Sequence, residues 1–441
     1  MTGIGRSRLW LAALILAASL PFDRAGAAEP FRVPGQWTPR VEGLATTLKE
    51  RPAAALAAPG DATAAELSAL GAVLFRSPYV LGSVARRMGL SCDACHSNGA
   101  ANAAFFLEGL SSHAGTVDLT SAPFGAGADN GKFDPLAIPN LRGVARTAPY
   151  GHAGAIPTIR AFARHVIVDE FAGDEPSPAV LDALDAYLRR LDFLPNRLID
   201  AQGKLTGLAP ADARRGEALF ERPFPRDAAL SCAACHTPAA DFTDRRRHDV
   251  GTGGEFDTPS LRNSAVAGAL FHDGRAATLD EAVAHFNRVF ALGLDAHQRA
   301  DLVAYLKAIG AADRPTEPVT LAGELQRHEE GVTALDAALR RRDAGLADLV
   351  AATLRLDLGT IAERFDGADQ EPALAVLAGW SHALAAIDDD ATAGGFAEAE
   401  AALARYRAAL PTGSATLTAA GPNSLYDVAR LERFLALRDG R

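Results

Sequence analysis

Apolar residues recur at helical spacing through the C-terminal part of the chain. The clearest run consists of Leu321, Leu325, Val332, Leu335 and Leu339. Further helical runs are predicted over residues 344–365, 371–388, 395–409 and 423–438. We therefore expect residues 315–441 to form a helical bundle. This part of the chain contains no cysteine and no motif that indicates chemistry.

A second pattern occurs twice in the preceding part of the chain. Residues 71–75 (Gly-Ala-Val-Leu-Phe) are similar to residues 216–220 (Gly-Glu-Ala-Leu-Phe), and residues 139–165 align with residues 259–285 without a gap at an offset of 120. Each half closes with an amphipathic helix that contains Ala-Tyr-Leu. The repeat predicts two copies of one small helical unit.

All four cysteines lie within these two copies. Each copy contains the pattern Cys-x-x-Cys-His, formed by Cys92, Cys95 and His96 and by Cys232, Cys235 and His236. Two thiols at this spacing can bond both vinyl groups of a porphyrin, and the adjacent histidine binds the iron. A disulfide would not require the histidine, and a zinc site would need further ligands at short spacing. The motifs therefore predict two covalently bound haem c groups with proximal histidine ligands.

The fold expected from this arrangement is all-α. Short helices joined by irregular loops indicate two tandem cytochrome c-like haem domains, at residues 28–200 and 201–314, followed by the bundle. The motifs lie 140 residues apart and the repeat blocks only 120, so the first half holds 20 extra residues. They fall between Gly109 and Lys132, in a segment that reads either as a lid over the first haem or as a plain surface loop.

The N-terminal segment, residues 1–27, has the features of a secretory signal. Arg6 and Arg8 precede an apolar run over residues 9–20, and the small residues 25–27 form a cleavage site. The run is too short to span a bilayer, so we expect an exported periplasmic protein with no membrane span after cleavage. The net charge of −10 argues against a nucleic-acid partner, and four cysteines in 441 residues are too few for a disulfide scaffold.

These features resemble the bacterial di-haem cytochrome c peroxidase and MauG family. The most similar stretches are residues 216–220, 230–236 and 248–287, and the resemblance extends over about residues 60–312. The resemblance implies that the N-terminal haem is the reactive centre and that the C-terminal haem receives electrons from a small redox protein, a cytochrome c or a copper protein. It also implies a calcium site between the halves.

The distal iron ligands are less well defined by the sequence. The family often places Met or Tyr near the position of Phe286, which cannot bind iron. Met88, the only methionine besides Met1, is predicted to pack in the first half. His285, in a helix that begins with a Thr278-Leu-Asp-Glu281 capping box, and the equivalent His165 are therefore the candidate distal ligands. A packing or propionate-binding role is the alternative for both.

Other repeated or nearby polar residues could complete the sites. Arg142 and Arg262 can pair with haem propionates, or form surface salt bridges instead. Peroxide cleavage needs a group that moves a proton, and the first half offers Glu108 and His113 as catalytic candidates. A solvated loop carboxylate is the alternative for Glu108.

Three functions are consistent with the sequence. The first is a periplasmic di-haem oxidoreductase of the peroxidase or MauG type, with peroxide or another oxidisable or reducible molecule as the substrate. The second is a non-enzymatic di-haem electron carrier, and the third is a MauG-like modifier of a partner protein, with the bundle as the recognition module. The first half departs from the family, because it lacks a Trp between its motif and Thr158 and has Tyr150-Gly-His-Ala-Gly154 in place of Phe-Trp-Asp-Gly-Arg.

Overall fold

The structure of the chain is a computed structural model. It describes residues 48–124, 128–266, 268–310, 315–365 and 370–438. The predicted signal segment and residues 125–127 of the predicted loop lie outside the described residues. Helices predominate, as predicted for an all-α fold. Among the described residues, no helix is both long enough and apolar enough to cross a membrane.

Helices lie in the first half, in the second half and in the C-terminal part of the chain. The first half contains α1 (Ala62–Phe75), α2 (Gly82–Met88), α3 (Cys92–Cys95), α4 (Ile159–His165) and α5 (Pro178–Leu188). The second half contains α6 (Ala211–Glu221), α7 (Cys232–Cys235), α8 (Leu279–Val289) and α9 (Ala296–Ile309). The C-terminal part contains α10 (Leu321–Arg340), α11 (Ala344–Ala362), α12 (Glu371–Thr392), α13 (Phe396–Ala420) and α14 (Val428–Arg438).

Helix α13 is longer than the sequence predicts. The predicted run ends at residue 409, just before Pro411, whereas the helix continues through Pro411 to Ala420. A proline inside a helix removes one backbone hydrogen bond. Close packing supports the continuation, because Gly413 lies so near Trp380 that a Cβ atom at this glycine would be 2.4 Å from the indole ring.

Three short antiparallel strand pairs join distant parts of the chain. Strand β1 (Glu50–Pro52) pairs with β6 (Thr316–Pro318), with Glu50 opposite Pro318. Within the first half β2 (Thr116–Val117) pairs with β3 (Leu136–Ala137), and within the second half β4 (Arg247–Asp249) pairs with β5 (Glu255–Asp257). The predicted loop segment, residues 109–132, therefore contains β2 and most of the β2–β3 connection, and its Phe124 is fully buried in the core of the first half.

The same helix crossing is built in both halves. In the first half α1 packs against α5, and a Cβ atom on Gly71 would lie 2.0 Å from the carbonyl oxygen of Ala183. In the second half α6 packs against α9, and a Cβ atom on Gly216 would lie 2.1 Å from the carbonyl oxygen of Asp301. The repeated glycine and the repeated Ala-Tyr-Leu helix are therefore the two sides of one close contact.

Buried apolar residues of the first half and of the C-terminal helices belong to the same cluster. One continuous cluster of buried residues includes Leu74 of α1, Leu184 of α5, Leu335 of α10 and Leu354 of α11. A separate cluster fills the second half, around Tyr305. The first half and the C-terminal bundle therefore share a core, while the second half has its own.

The two halves meet through a pair of equivalent hydrogen bonds. The amide of Ala137 in β3 donates to the carbonyl of His272 at 2.8 Å, and the amide of Asp257 in β5 donates to the carbonyl of His152 at 2.9 Å. Both pairs are related by the repeat offset of 120 residues. The repeat blocks thus pack against each other with approximate two-fold symmetry.

Candidate haem attachment sites

Each Cys-x-x-Cys-His motif begins a short helix whose first turn is capped by a serine. The Ser91 hydroxyl accepts a hydrogen bond from the amide of Ala94 at 3.3 Å, and the Ser231 hydroxyl accepts one from the amide of Ala234 at 3.1 Å. The serine before each motif therefore provides an N-cap that holds the two cysteines on one turn. The same serine N-cap therefore begins the motif helix in both halves.

The proximal histidines are held by backbone carbonyl groups. Nδ1 of His96 lies 2.9 Å from the carbonyl oxygen of Pro139. Nδ1 of His236 lies 3.1 Å from the carbonyl oxygen of Phe242, and the carbonyl of Pro259 is also within reach. Since Nδ1 is the donor in these contacts, Nε2 keeps its lone pair for a metal.

Burial keeps both imidazoles neutral. It lowers the pKa of His96 to about 4 and also lowers the pKa of His236, because a charged ring would lose its hydration. Only the neutral imidazole can bind iron. The two histidines are therefore ligand-competent at neutral pH.

The four cysteines are unpaired thiols in the structure. Burial raises the pKa of both Cys92 and Cys232 to about 12, and it also raises the pKa values of Cys95 and Cys235. A disulfide within either pair is thus absent. Thiol pairs next to an oriented, neutral histidine are the donor set that covalent haem attachment requires.

The two predicted propionate partners differ. Arg142 is 3% exposed, donates through Nη2 to the carbonyl of Ala53 at 2.6 Å, and among the described residues has no partner for Nε. A buried guanidinium with an unpaired donor lacks a carboxylate, so a haem propionate fits there. Arg262 is already paired, with Asp241 at 3.3 Å, and its guanidinium lies over the Phe193 ring at 4.6 Å.

The candidate distal ligands have other partners in the structure. Nε2 of His285 lies 2.8 Å from the carbonyl oxygen of Val250, and the neighbouring Phe286 packs among the rings of Phe271 and Phe290. His165 lies in a more exposed position, with Nδ1 2.8 Å from a carboxylate oxygen of Asp169. Iron ligation by either histidine would require these contacts to be exchanged, and it stays a prediction.

The catalytic candidates lie in different surroundings. Glu108 is exposed in the segment before β2. His113 is half-buried at the junction of the halves, where Nε2 lies 2.8 Å from the carbonyl oxygen of Gly274 and Nδ1 lies 2.9 Å from the Ser112 hydroxyl. Met88, predicted to be a packing residue, lies against the core of the first half.

Comparison with known proteins supports the resemblance noted in the sequence. Residues 210–319 match the family described as di-haem cytochrome c peroxidase. The resemblance to the di-haem cytochrome c peroxidase and MauG family is thus confirmed for this part of the chain. The match includes the second motif and ends at the beginning of the bundle.

Individual curated proteins are also similar to parts of the chain. Hydrazine synthase subunit gamma of Kuenenia stuttgartiensis is 30% identical over 190 residues, which cover 32% of this chain and 51% of that protein. MauG of Methylorubrum extorquens is 30% identical over 131 residues, which cover 23% of this chain and 35% of that protein. Cytochrome c peroxidase Ccp of Escherichia coli is 38% identical over 79 residues, which cover 16% of this chain and 17% of that protein. The chain thus spans about half the length of the first relative and less of the others.

Some residues of the di-haem sites were missed by reasoning from the sequence. The Pro139 and Pro259 carbonyls face the proximal histidines, and their repetition at the same offset was the available signal. His248, which opens one of the stretches similar to the peroxidase family, bonds Asp244 at 2.7 Å, and both side chains lie close to Cys235. Because Cys235 belongs to the attachment motif, this cluster lies at the second candidate attachment site.

Proposed function

We propose that the chain is a periplasmic di-haem c-type cytochrome oxidoreductase that reduces peroxide. In this proposal electrons enter at the second site and pass to the first. The observation that carries it is the pair of equivalent donor sets, each with two thiols and a neutral histidine whose Nε2 is free for iron. The family match over the second half supports the same function.

The residues that would hold the two haem groups follow from the geometry. Thioether bonds would form at the four cysteines, iron would bind Nε2 of His96 and His236, and Arg142 would pair with a propionate of the first haem. When bound, haem supplies one-electron redox chemistry at both sites and a place for peroxide at the first. Calcium between the halves stays part of the proposal through the family resemblance alone.

The exposure of the two attachment loops favours entry of electrons at the second site. Ala94, between the cysteines of the first motif, is 8% exposed and packs in the core that the first half shares with the bundle. Ala234, at the equivalent place in the second motif, is exposed. A small periplasmic redox protein can therefore approach the second attachment loop closely, which shortens the distance for electron transfer.

The two proton-transfer candidates can be ranked by their contacts. Nε2 of His113 is committed to the Gly274 carbonyl, so this nitrogen cannot accept a proton while the halves stay in contact. Glu108 is exposed and can exchange protons with water. We therefore assign proton transfer to Glu108 and a junction-positioning role to His113.

The proposal is tested on the purified holoprotein with three measurements. A pyridine haemochrome assay should show two haem groups per chain, and only one in a Cys232→Ala/Cys235→Ala variant. Electron paramagnetic resonance should show a haem that becomes high-spin after half-reduction, and a reduced cytochrome c or copper protein should be oxidised when peroxide is added. Glu108→Gln should lower this turnover at least tenfold, whereas Glu175→Gln, a second exposed carboxylate in the same half, should leave it unchanged.

Two low-spin haem groups that do not respond to peroxide after half-reduction would reject the peroxidase function. That outcome would favour the electron carrier, since the carrier needs both attachment sites and no open iron position.

A further inference from the structure

The C-terminal bundle contacts the first half through polar groups as well as through the shared core. Nε of Arg76, the residue after α1, donates to a carboxylate oxygen of Asp357 in α11 at 3.0 Å. Beside this pair the hydroxyl groups of Thr353 and Ser77 are hydrogen-bonded at 2.7 Å, and both residues are fully buried. The ion pair is partly buried and lies beside a fully buried hydrogen bond, so the contact differs from an exposed surface ion pair.

A second contact reaches the first haem attachment loop itself. Arg51 in β1 donates to Glu317 in β6 at 2.5 Å and to Glu324 in α10 at 3.0 Å. Glu317 also accepts a hydrogen bond at 3.3 Å from the side chain of Asn98, which lies two residues after His96. Carboxylates of the C-terminal part thus hold the segment that follows the proximal histidine.

Asp93, inside the first Cys-x-x-Cys-His motif, links these two contacts. Its carboxylate accepts a hydrogen bond from the amide of Asn98 at 2.9 Å. It also lies within electrostatic reach of Arg51, Arg76 and Asp357. Charges in such a poorly solvated place interact strongly, because protein and not water separates them.

The second half offers a comparison within the same chain. By the repeat alignment, Glu221 takes the place of Arg76, Ala233 the place of Asp93, and Pro238 the place of Asn98. Glu221 forms only an exposed ion pair with Lys204. The charged network is therefore a property of the first attachment loop, which is also the loop that the bundle covers.

We propose that the C-terminal bundle sets the reduction potential of the first haem through this network. Arg51 and Arg76 are positioning residues that carry positive charge beside the first attachment loop. The carboxylates of Glu317, Glu324 and Asp357 hold them in place. The inference rests on the proposed function only in so far as a haem is attached at Cys92 and Cys95. It gives the bundle, which lies outside most of the family match, a defined role.

The test is a spectroelectrochemical redox titration of the full-length holoprotein. Asp357→Asn removes a negative charge and should raise the potential of one of the two haem steps. Arg76→Gln removes a positive charge and should lower the same step, whereas Arg76→Lys keeps the charge and should stay near the wild type. The double variant Arg76→Gln/Asp357→Asn should return close to the wild-type value.

Two control variants identify which step moves. Asp336→Asn is a matched change in the bundle, because Asp336 is 22% exposed against 25% for Asp357 but pairs with Arg340 and Arg407 of the bundle itself. It should leave both potentials unchanged. Arg222 lies within electrostatic reach of Cys232, so Arg222→Gln should move only the other step and thereby assign it to the second haem.

Electrostatic control predicts that Asp357→Asn and Arg76→Gln shift the reduction potential in opposite directions. Structural damage would shift it in the same direction in both variants. The inference would be overturned if both variants shifted the potential in the same direction, if both haem steps shifted, or if neither potential changed. Normal shifts in a protein without peroxide turnover would keep the inference and reject the peroxidase function. A chain with no haem at the first motif would overturn both.

Discussion

At the scale of single residues, backbone carbonyl groups decide which histidine nitrogen can bind metal. The Pro139 carbonyl fixes Nδ1 of His96, and the Phe242 carbonyl fixes Nδ1 of His236. The same kind of contact engages Nε2 of His285, which lies against the Val250 carbonyl. The proximal histidines are therefore oriented for iron, whereas His285 is held by the other nitrogen.

This contrast leads to a prediction for His285. We expect His285→Ala to leave the spin state of the second haem unchanged, because its Nε2 serves the hydrogen bond to Val250. Electron paramagnetic resonance of the oxidised holoprotein measures the result, with His297→Ala, an exposed histidine in the same half, as the control. A change from low to high spin in His285→Ala alone would identify His285 as the distal ligand.

Asp257 provides a residue-scale prediction of pH dependence. Burial, together with the nearby Asp244 carboxylate, raises the pKa of Asp257 from 3.8 to about 7, and Oδ1 has no partner among the described residues. The folded state thus binds a proton more tightly than the unfolded chain, so this group makes the protein less stable as the pH rises from about 4 to about 7.

Asp257→Asn should remove this contribution. Since the carboxylate is partly solvated, we expect a gain of about 1 kcal/mol in the free energy of unfolding near neutral pH and no gain near pH 4. Urea denaturation at the two pH values measures it, and Asp249→Asn, an exposed neighbour, is the control. An equal gain at both pH values would contradict the linkage.

At the scale of elements, the repeated helix crossing depends on a glycine. Gly71 faces the backbone of α5, and Gly216 faces the backbone of α9. Neither glycine has a positive φ, so the requirement is for space alone. This contact explains why the same short apolar motif precedes both attachment sites.

Gly71→Ala should therefore lower the free energy of unfolding. The added Cβ would lie 2.0 Å from the Ala183 carbonyl oxygen, and forced separation of packed elements typically costs about 1–3 kcal/mol. Gly60→Ala is the matched control, because a Cβ atom there has no neighbour within 4 Å. Chemical denaturation compares the two, and equal stabilities would show that α1 and α5 can separate freely.

The sequence predicts elements well where the pattern is local. The repeat, the helix that begins after the Thr278 N-cap and the helical runs of the bundle all have counterparts in the structure, because periodicity and capping are properties of neighbouring residues. Three features depend on distant packing and could not be predicted in this way. They are the extension of α13 through Pro411, the pairing of β1 with β6, and the contact of Asn98 with Glu317.

At the scale of the whole molecule, the distribution of the core divides the chain differently from the two-haem repeat. The first half and the bundle form one apolar unit, while the second half forms another. The halves meet through backbone hydrogen bonds and paired side chains rather than through a common apolar core. We therefore expect the two haem sites to lose their structure in separate steps.

Two leucine variants test this expectation. Leu335→Ala in α10 and Leu302→Ala in α9 each empty a buried position and should cost roughly 2–5 kcal/mol. Leu335→Ala should shift only the unfolding step reported by the first haem, and Leu302→Ala only the step reported by the second. Denaturation followed by haem absorbance measures both. A single step that both variants shift equally would show one cooperative unit.

The pairing of β1 with β6 also has a consequence for the order of assembly. Synthesis proceeds from the N-terminus, so Glu50–Pro52 emerges long before its partner Thr316–Pro318 and the helices that complete the shared core. Until then the first motif lacks its cover, whereas the second half can close its own core as soon as α9 has emerged. We therefore expect the first attachment loop to stay accessible to a haem-attaching enzyme until the C-terminal helices have been made, and the bundle to cover it afterwards.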